Sequence, residues 1–538
     1  MVPSAARAII AINIAQDEEV IMLLPYTNEP FTDFSNDANA QAMRQALASV
    51  REQLGQTYPL IINGEAIHAD DTATSTNPAK PDQVIGYHAQ GTVEHVEQAM
   101  EAAAQAYETW QFVPVPERVG YVLKAAAIMR RRKFELSAWL VYEVSKSWAE
   151  ADGDVAEAID FCEYYARQML RMDGAQEVYP YPGETNDLYY MPLGVCAVIP
   201  PWNFPLAIAL GMTVAALVAG NTVVLKPAEP SPTIAAQFVK ILNDECQLPP
   251  GVLNFITGPG AMLGEAMVDH PHTRIIAFTG SMDVGLRIYG RAAVRQTNQR
   301  WLKRTVLEMG GKDAIVVDET ADLDLAAESI VASAFGYQGQ KCSACSRAII
   351  VEDVYDQVLQ KVLERARKLT VGDPAEQGTF MGAVIEPKAF DKIKRYIEIG
   401  KTDGKLVLGG ETGDGGDGYF VPPTIIADVP ETSRLACEEV FGPVLAFIKA
   451  RDFEHAEQIF NMTDFGLTGG LISRDRTRLE RAKKTFHVGN LYLNRKITGA
   501  LVGVQPFGGF NMSGTDSKAG GPDYLLLFTQ AKSITERL

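Results

Sequence analysis

The chain has 538 residues, of which 47% are apolar and 22% charged, and its formal net charge is −18. That length implies two to four domains with real cores, and the composition is that of an ordinary soluble globular protein. The acidic balance argues against a nucleic-acid partner. The longest apolar stretch, "PLAIALGMTVAALVAG" (205–220), is too short for a membrane span and contains Thr213, so a buried helix is expected there.

Residues 1–22 hold one Arg, an apolar run and then acidic residues, without a clear cleavage site. A disordered extension is expected, with Met22 a candidate natural start. Residues 35–56 repeat Met43, Leu47, Val50 and Leu54 on one helical face. "LIINGEAI" (60–67) alternates around Asn63-Gly64, the signature of a tight hairpin. A helix capped by Thr92 carries Val93, Val96, Met100, Ala103 and Tyr107 on one side. Further helices are expected over about 117–147 and 152–171, followed by an aromatic hairpin at 178–194.

From residue 194 strands alternate with helices: "VCAVI", 205–219, "TVVLK", a helix from Ser231, "VLNFI", a short helix from 260, "IIAFT" and a helix from 282. A second alternating series runs from about 313 to 495. This pattern predicts parallel sheets with right-handed crossovers, which bind nucleotides at strand C-termini. The Gly- and Asp-rich stretch 409–420 lacks calcium-loop spacing and reads as an exposed loop.

Several short stretches carry chemistry, and each also has a plain structural reading. In "FTGSMDVG" (278–285), Gly280 and a helix start suit a phosphate, although such turns recur in any α/β fold. Lys226 and Glu229 in "VVLKPAEPSP" could meet an adenosine ribose, or could be two loop charges. Asn203 in "VIPPWNFP" could stabilise an oxyanion, or serve a turn. Glu308 in "LEMGGKD" could be a general base, or a surface carboxylate.

"GQKCSACSR" (339–347) spaces Cys342 and Cys345 three apart. A redox pair should open a helix after the first strand of a small domain, and this pair lies deep in a large chain. A zinc site would need a second pair, which the seven histidines do not supply. One nucleophile with a packing cysteine, or two inert thiols, remain. A nucleophile needs a lowered thiol pKa, with which Lys341 and a helix-like start are compatible. The six cysteines, at 162, 196, 246, 342, 345 and 437, form no disulfide framework, so a reducing, cytoplasmic setting is expected.

From about residue 24 onward the sequence resembles the aldehyde dehydrogenase superfamily. "PWNFP", "LKPAE", "FTGS", "LEMGGKD", "GQKC", "EEVFGPV" (438–444) and "PFGGF" (506–510) stand in that family's order. "NEPFTDF" (28–34), "ITGALVGVQPFGG" (497–509) and "SGTDSKAGGPDYLLLF" (513–528) resemble its L-glutamate γ-semialdehyde dehydrogenase group. The resemblance implies an α/β fold: a Rossmann-type NAD-binding domain (23–178 and 195–308), an α/β catalytic domain (309–496), an anchor loop (497–510) and an oligomerisation element (179–194 and 511–538).

It also implies roles. Cys342 would be the nucleophile, Glu308 the general base and Asn203 the oxyanion donor. Ile199, Pro200, Trp202, Lys226, Glu229, Gly258, Thr279, Gly280, Ser281, Glu439 and Phe441 would contact NAD. Glu157, Phe204, Lys341, Ser343, Gly499, Ala500 and Phe507 would bind substrate, with Ser343 and 499–500 at its amino-acid end. No metal is implied. The expected partners are an amino-acid aldehyde, further copies of the chain and a proline dehydrogenase, with no membrane. Rival expectations are the same chemistry on another semialdehyde such as succinic semialdehyde, or a thiol redox or metal-binding protein.

Overall fold

In the computed structural model, which describes residues 23–538, the periodic stretches form the helices their spacing requires. The expected extension 1–22 lies outside the described residues. Helix α1 (Asp37–Arg51) buries Met43, Leu47 and Val50, and Asn36 caps it by accepting the N–H groups of Ala38 and Asn39. It ends before Leu54, which falls in the following turn. Asn63 and Gly64 adopt φ 54° and 77° between strands 60–62 and 65–67, the expected hairpin. Helix α2 (Val93–Trp110) is capped by Thr92, with His95 completing a capping box.

The helix expected over 117–147 is two helices, α3 (Val115–Arg131) and α4 (Lys133–Val144), parted at Arg132 with φ −102° and ψ 20°. At this junction Arg132 bonds Glu135 and Glu245, while Lys133 bonds the Pro30 carbonyl at 2.8 Å and Asp152 at 3.0 Å. Helix α5 (Trp148–Met172) follows, buried along most of its length.

Two seven-stranded sheets dominate the fold. The first runs 304–308, 273–279, 195–199, 222–225, 253–255, 60–62, 65–67; its first five strands are parallel. Helices α6 (Ala207–Val218), α7 (Pro232–Lys240), α8 (Glu265–Asp269) and α9 (Met282–Ala292) connect them. Strand order reverses between 195–199 and 273–279, so their C-terminal ends open a crevice. The second sheet runs 405–408, 424–427, 444–450, 347–351, 314–317, 468–472, 490–493, parallel except for its first pair. Helices α10 (Leu323–Phe335), α11 (Tyr355–Ala366) and α12 (Pro387–Asp403) accompany it. The chain changes sheets at 309–313, immediately after Glu308. The Gly-rich stretch 409–420 is a loop whose end docks back, with Tyr419 N–H donating to Pro78 O at 3.1 Å.

Two expectations need correction. Residues 178–194 are not a hairpin: one strand, Glu184–Pro192, pairs antiparallel with the chain's last strand, Thr529–Arg537. The expected element 511–538 is also divided. Residues 513–517 pair with the end of strand 304–308, and only 529–537 enter the two-stranded ribbon. Among the described residues no helix is long and apolar enough to cross a membrane.

One buried carboxylate locks α4 to the first sheet's helices. Ser231 gives α7 no side-chain cap. Instead Glu143 on α4, fully buried, accepts the N–H groups of Thr233 at 2.7 Å and Ile234 at 2.8 Å, and the Ser75 hydroxyl at 3.0 Å. Removing it strands two buried donors, each costing about 1–3 kcal/mol. A Glu143→Ala variant should therefore melt on the order of 5 °C lower than the parent in a thermal scan, with Glu143→Gln intermediate.

Candidate active site

Cys342 lies between the two sheets, in the segment that leads from α10 into strand 347–351. Its approach is unusual: Tyr337, Gln338 and Gly339 all have positive φ, at 50°, 56° and 65°. Left-handed backbone is costly for Tyr and Gln, so the surroundings must impose it. Tyr337 Oη donates to Val144 O at 3.0 Å, and Gln338 Nε2 donates to Ser145 O at 3.0 Å and Ala383 O at 2.9 Å. The helix-like start expected at Cys342 is instead a turn, with Ala344 N–H donating to Lys341 O at 3.0 Å.

The two cysteines have different surroundings. Cys342 is partly exposed, whereas Cys345 is 1% exposed within the apolar cluster of the second sheet. The Cys345 thiol donates to Arg347 O at 3.4 Å. Burial pushes the Cys342 thiol pKa up, and the carboxylates of Asp313, Glu439 and Glu308 add to the effect. A thiolate there calls for a cation or a base close by.

Asn203 and Glu308 arrive from the first sheet. Asn203, 4% exposed, follows strand 195–199 and donates through Nδ2 to Gln340 O at 3.0 Å, which ties it to the thiol loop. Glu308 ends strand 304–308. Its carboxyl meets the Ser517 hydroxyl and accepts Gly509 N–H at 3.3 Å. Burial raises its pKa to about 8. Ser517 lies in the stretch 513–528, but nothing local links it to Glu308; only the fold brings a residue 209 positions away onto that carboxyl.

A second group lines the crevice of the first sheet. Lys226, 3% exposed at the end of strand 222–225, donates to Pro227 O at 2.7 Å, and burial lowers its pKa to about 8. Glu229 accepts Gly260 N–H at 2.7 Å. Gly258 has φ 148°, and a Cβ there would come within 2.6 Å of Leu263. Ile199 and Thr279 end the two strands at the reversal, and Pro200 follows. Gly280 N–H donates to Glu308 O at 3.0 Å, and Ser281 caps α9 through Val284 N–H at 3.4 Å. Across the crevice Glu439 accepts Gly311 N–H at 2.9 Å, and a Cβ at Gly310 would collide with its carboxylate. Phe441, at φ 60°, packs edge-on to Trp202 with centroids 5.4 Å apart.

A strand-end cation and carboxylate, a helix N-terminus and a backbone kept clear of side chains fit a dinucleotide. Lys392 on α12 joins this group, half-buried and within electrostatic reach of Glu439, Asp283 and Glu438. It was not singled out from sequence, because no motif surrounds it and the packing of α12 alone sets its place.

The residues expected to meet substrate have the following surroundings. Phe204 packs against Tyr337 with centroids 6.3 Å apart. Lys341 pairs with Glu150 at 2.7 Å, a partner the sequence did not indicate. Glu157 lies two turns further along α5, half-buried, with no hydrogen bond among the described residues; burial raises its pKa to about 8. Ser343 is 8% exposed, and its carbonyl accepts the Thr468 hydroxyl at 3.3 Å. Ser333 joins two loops: its carbonyl accepts Cys345 N–H at 3.0 Å and its hydroxyl accepts Ile497 N–H at 3.1 Å. Gly499 and Ala500 follow Ile497, and Lys496 lies near Lys341 and Glu150. Phe507 pairs with Ala519, and the next residues, Gly508 and Gly509, border the Glu308 carboxyl.

Known proteins of similar sequence and structure point to one family. Residues 67–534 match the aldehyde dehydrogenase family. The chain is 60% identical over 515 residues to 1-pyrroline-5-carboxylate dehydrogenase of Geobacillus thermodenitrificans (strain NG80-2), covering 96% of this chain and all of that one. A solved 1-pyrroline-5-carboxylate dehydrogenase from Thermus with bound NAD is 52% identical with a TM-score of 0.94, covering 96% of this chain and all of the other. Proline utilization A (PutA) from Bdellovibrio bacteriovorus is 46% identical with a TM-score of 0.93, over 95% of this chain and 53% of its own. The chain belongs to the aldehyde dehydrogenase family.

Proposed function

We propose that the protein is an NAD-dependent dehydrogenase that oxidises L-glutamate γ-semialdehyde, in equilibrium with 1-pyrroline-5-carboxylate, to L-glutamate. The observation that carries this is one partly exposed thiol, Cys342, held between an oxyanion donor and a carboxyl base at the mouth of a dinucleotide crevice.

Cys342 loses its thiol proton to solvent and attacks the aldehyde carbon as the thiolate, and the alkoxide that forms is held by Asn203 and the Cys342 N–H. Asn203 has two amide hydrogens; Gln340 occupies one, which orients the other. NAD would be held by Lys226, Glu229, Gly280, Ser281, Glu439 and Phe441 together with Lys392, and when bound it would supply the hydride acceptor that the adduct needs to become a thioester. Glu308 then takes a proton from water, which cleaves the thioester and releases glutamate. Hydrolysis needs the Glu308 carboxylate, so lysine and backbone donors around it matter: Lys518 lies close enough to favour the charged form.

Gly499 and Ala500 offer backbone N–H groups for the substrate carboxylate. Glu157, half-buried and without a hydrogen bond among the described residues, suits its ammonium, whose charge would favour the Glu157 carboxylate form. Phe204 and Phe507 would flank the methylene chain. Further copies of the chain would add to the ribbon of 184–192 and 529–537, whose last strand is exposed beyond Thr529. A proline dehydrogenase would supply the substrate, and a cytoplasmic setting agrees with six unpaired cysteines.

NADH formation from the semialdehyde should be abolished by Cys342→Ala and retained by Cys345→Ser. Succinic semialdehyde should be at least about tenfold poorer in kcat/KM. The opposite preference would reassign the substrate.

The pH dependence follows from Glu308. Its pKa is raised to about 8, so the base form is scarce at pH 6 and gains as pH rises. Thioester hydrolysis should speed up with pH through about 8 and level off above. Glu308→Gln should remove that dependence and leave a rapid burst of NADH followed by turnover slowed on the order of 100-fold.

A further inference from the structure

The motif "NEPFTDF" (28–34) has no part in the chemistry above, yet its first residue sits at a junction. Asn28 Nδ2 lies 2.8 Å from Asp160 Oδ2, 2.9 Å from Val502 O and 2.9 Å from Tyr26 Oη. The Tyr26 hydroxyl donates to the same Val502 carbonyl at 3.1 Å, and Glu29 N–H donates to Asp160 Oδ1 at 2.7 Å. Asp160 is 3% exposed on α5, one turn beyond Glu157. The N-terminal arm therefore ties the carbonyl of Val502 to the helix that carries Glu157.

Packing reinforces the tie. Tyr26 meets Tyr164 of α5 edge-on at 5.2 Å. Both rings stand against Gly503, whose φ is 75°; a Cβ there would come within 2.9 Å of Tyr164 and 3.0 Å of Tyr26. Gly503 N–H donates to Gly520 O at 2.9 Å, and Leu501 N–H donates to the Gln505 side chain at 2.9 Å. The loop is thus fixed at 501–503 by the arm and at Ile497 by Ser333. Between these points the N–H groups of Gly499 and Ala500 have no acceptor among the described residues. Two free donors on a span pinned at both ends are preorganised for an anion.

We propose that Tyr26 and Asn28 are positioning residues for substrate specificity: by holding Val502 they keep the Gly499–Ala500 donors set for an α-amino-acid carboxylate. This rests on the reading of 499–500 as the carboxylate anchor. Neither residue touches the reacting atoms, so the tie should matter for aldehydes that carry an amino-acid end and not for aldehydes that lack one.

The test compares the parent with Tyr26→Phe, Asn28→Ala, their combination and Ala500→Pro, which removes an anchor donor directly. Three quantities are measured: kcat and KM for glutamate semialdehyde, kcat/KM for propanal, and the Kd of L-glutamate by calorimetry. The combined variant should raise the semialdehyde KM and the glutamate Kd about tenfold. Its kcat and its propanal kcat/KM should stay within about twofold of the parent. Tyr26→Phe, which removes only a hydroxyl, should shift the same two quantities by about threefold and guards against a combined variant that fails to fold.

An equal loss on propanal and semialdehyde would make the arm a general structural support and overturn the proposal. An unchanged combined variant beside an Ala500→Pro variant that loses the semialdehyde would overturn the arm's role and leave the anchor standing. If Ala500→Pro binds glutamate normally, the anchor reading falls and the proposal with it.

Discussion

A left-handed turn delivers the thiol. Tyr337 and Gln338 each adopt a conformation that costs about 1–3 kcal/mol, and both are fully buried. The corner after α4 holds them there. Val144 and Ser145 carbonyls take their side-chain hydrogen bonds. Lys146, also fully buried, places its ammonium 3.8 Å from the Phe204 ring centroid and 4.7 Å from that of Tyr337, and pairs with Asp154 at 2.9 Å. Asp154 in turn accepts Ala207 N–H at 2.7 Å, at the start of α6. One corner therefore sets both the segment that presents Cys342 and the segment that presents Asn203.

The electrostatics of the site follow from the same convergence. Asp313, Glu308 and Glu439 all raise the thiol's pKa, and burial does so more strongly. A thiol among carboxylates is quiet at rest, and a cationic ring entering the crevice beside Glu439 and Phe441 is what would lower the cost of the thiolate. Glu308 is in a comparable condition: burial holds its proton, while Ser517, Gly509 and Lys518 favour releasing it. In both groups the pKa is set by burial against a few specific contacts.

Local chemistry was legible in the sequence. Strand–helix alternation, the Asn63-Gly64 turn, the Thr92 cap and the seven ordered motifs all depend on neighbours a few residues apart, and the structure has each of these elements. What escaped were contacts between distant residues. The pairing of 184–192 with 529–537 replaced an expected hairpin because the partner strand lies more than 300 residues on. The placement of Ser517 on Glu308, of Glu150 on Lys341 and of Asn28 on Val502 has no local signature. The break at Arg132 was hidden because the apolar spacing runs on through both halves.

In the proposed reaction a single sulfur, that of Cys342, carries the acyl group between oxidation and hydrolysis. Fragmentation mass spectrometry of the peptide spanning 342–347, from Glu308→Gln enzyme quenched during the burst with glutamate semialdehyde and NAD, tests it directly. The expected result is one glutamyl adduct confined to Cys342, with Cys345 unmodified. An adduct on Cys345, or a full burst of NADH with no adduct on either residue, would contradict it.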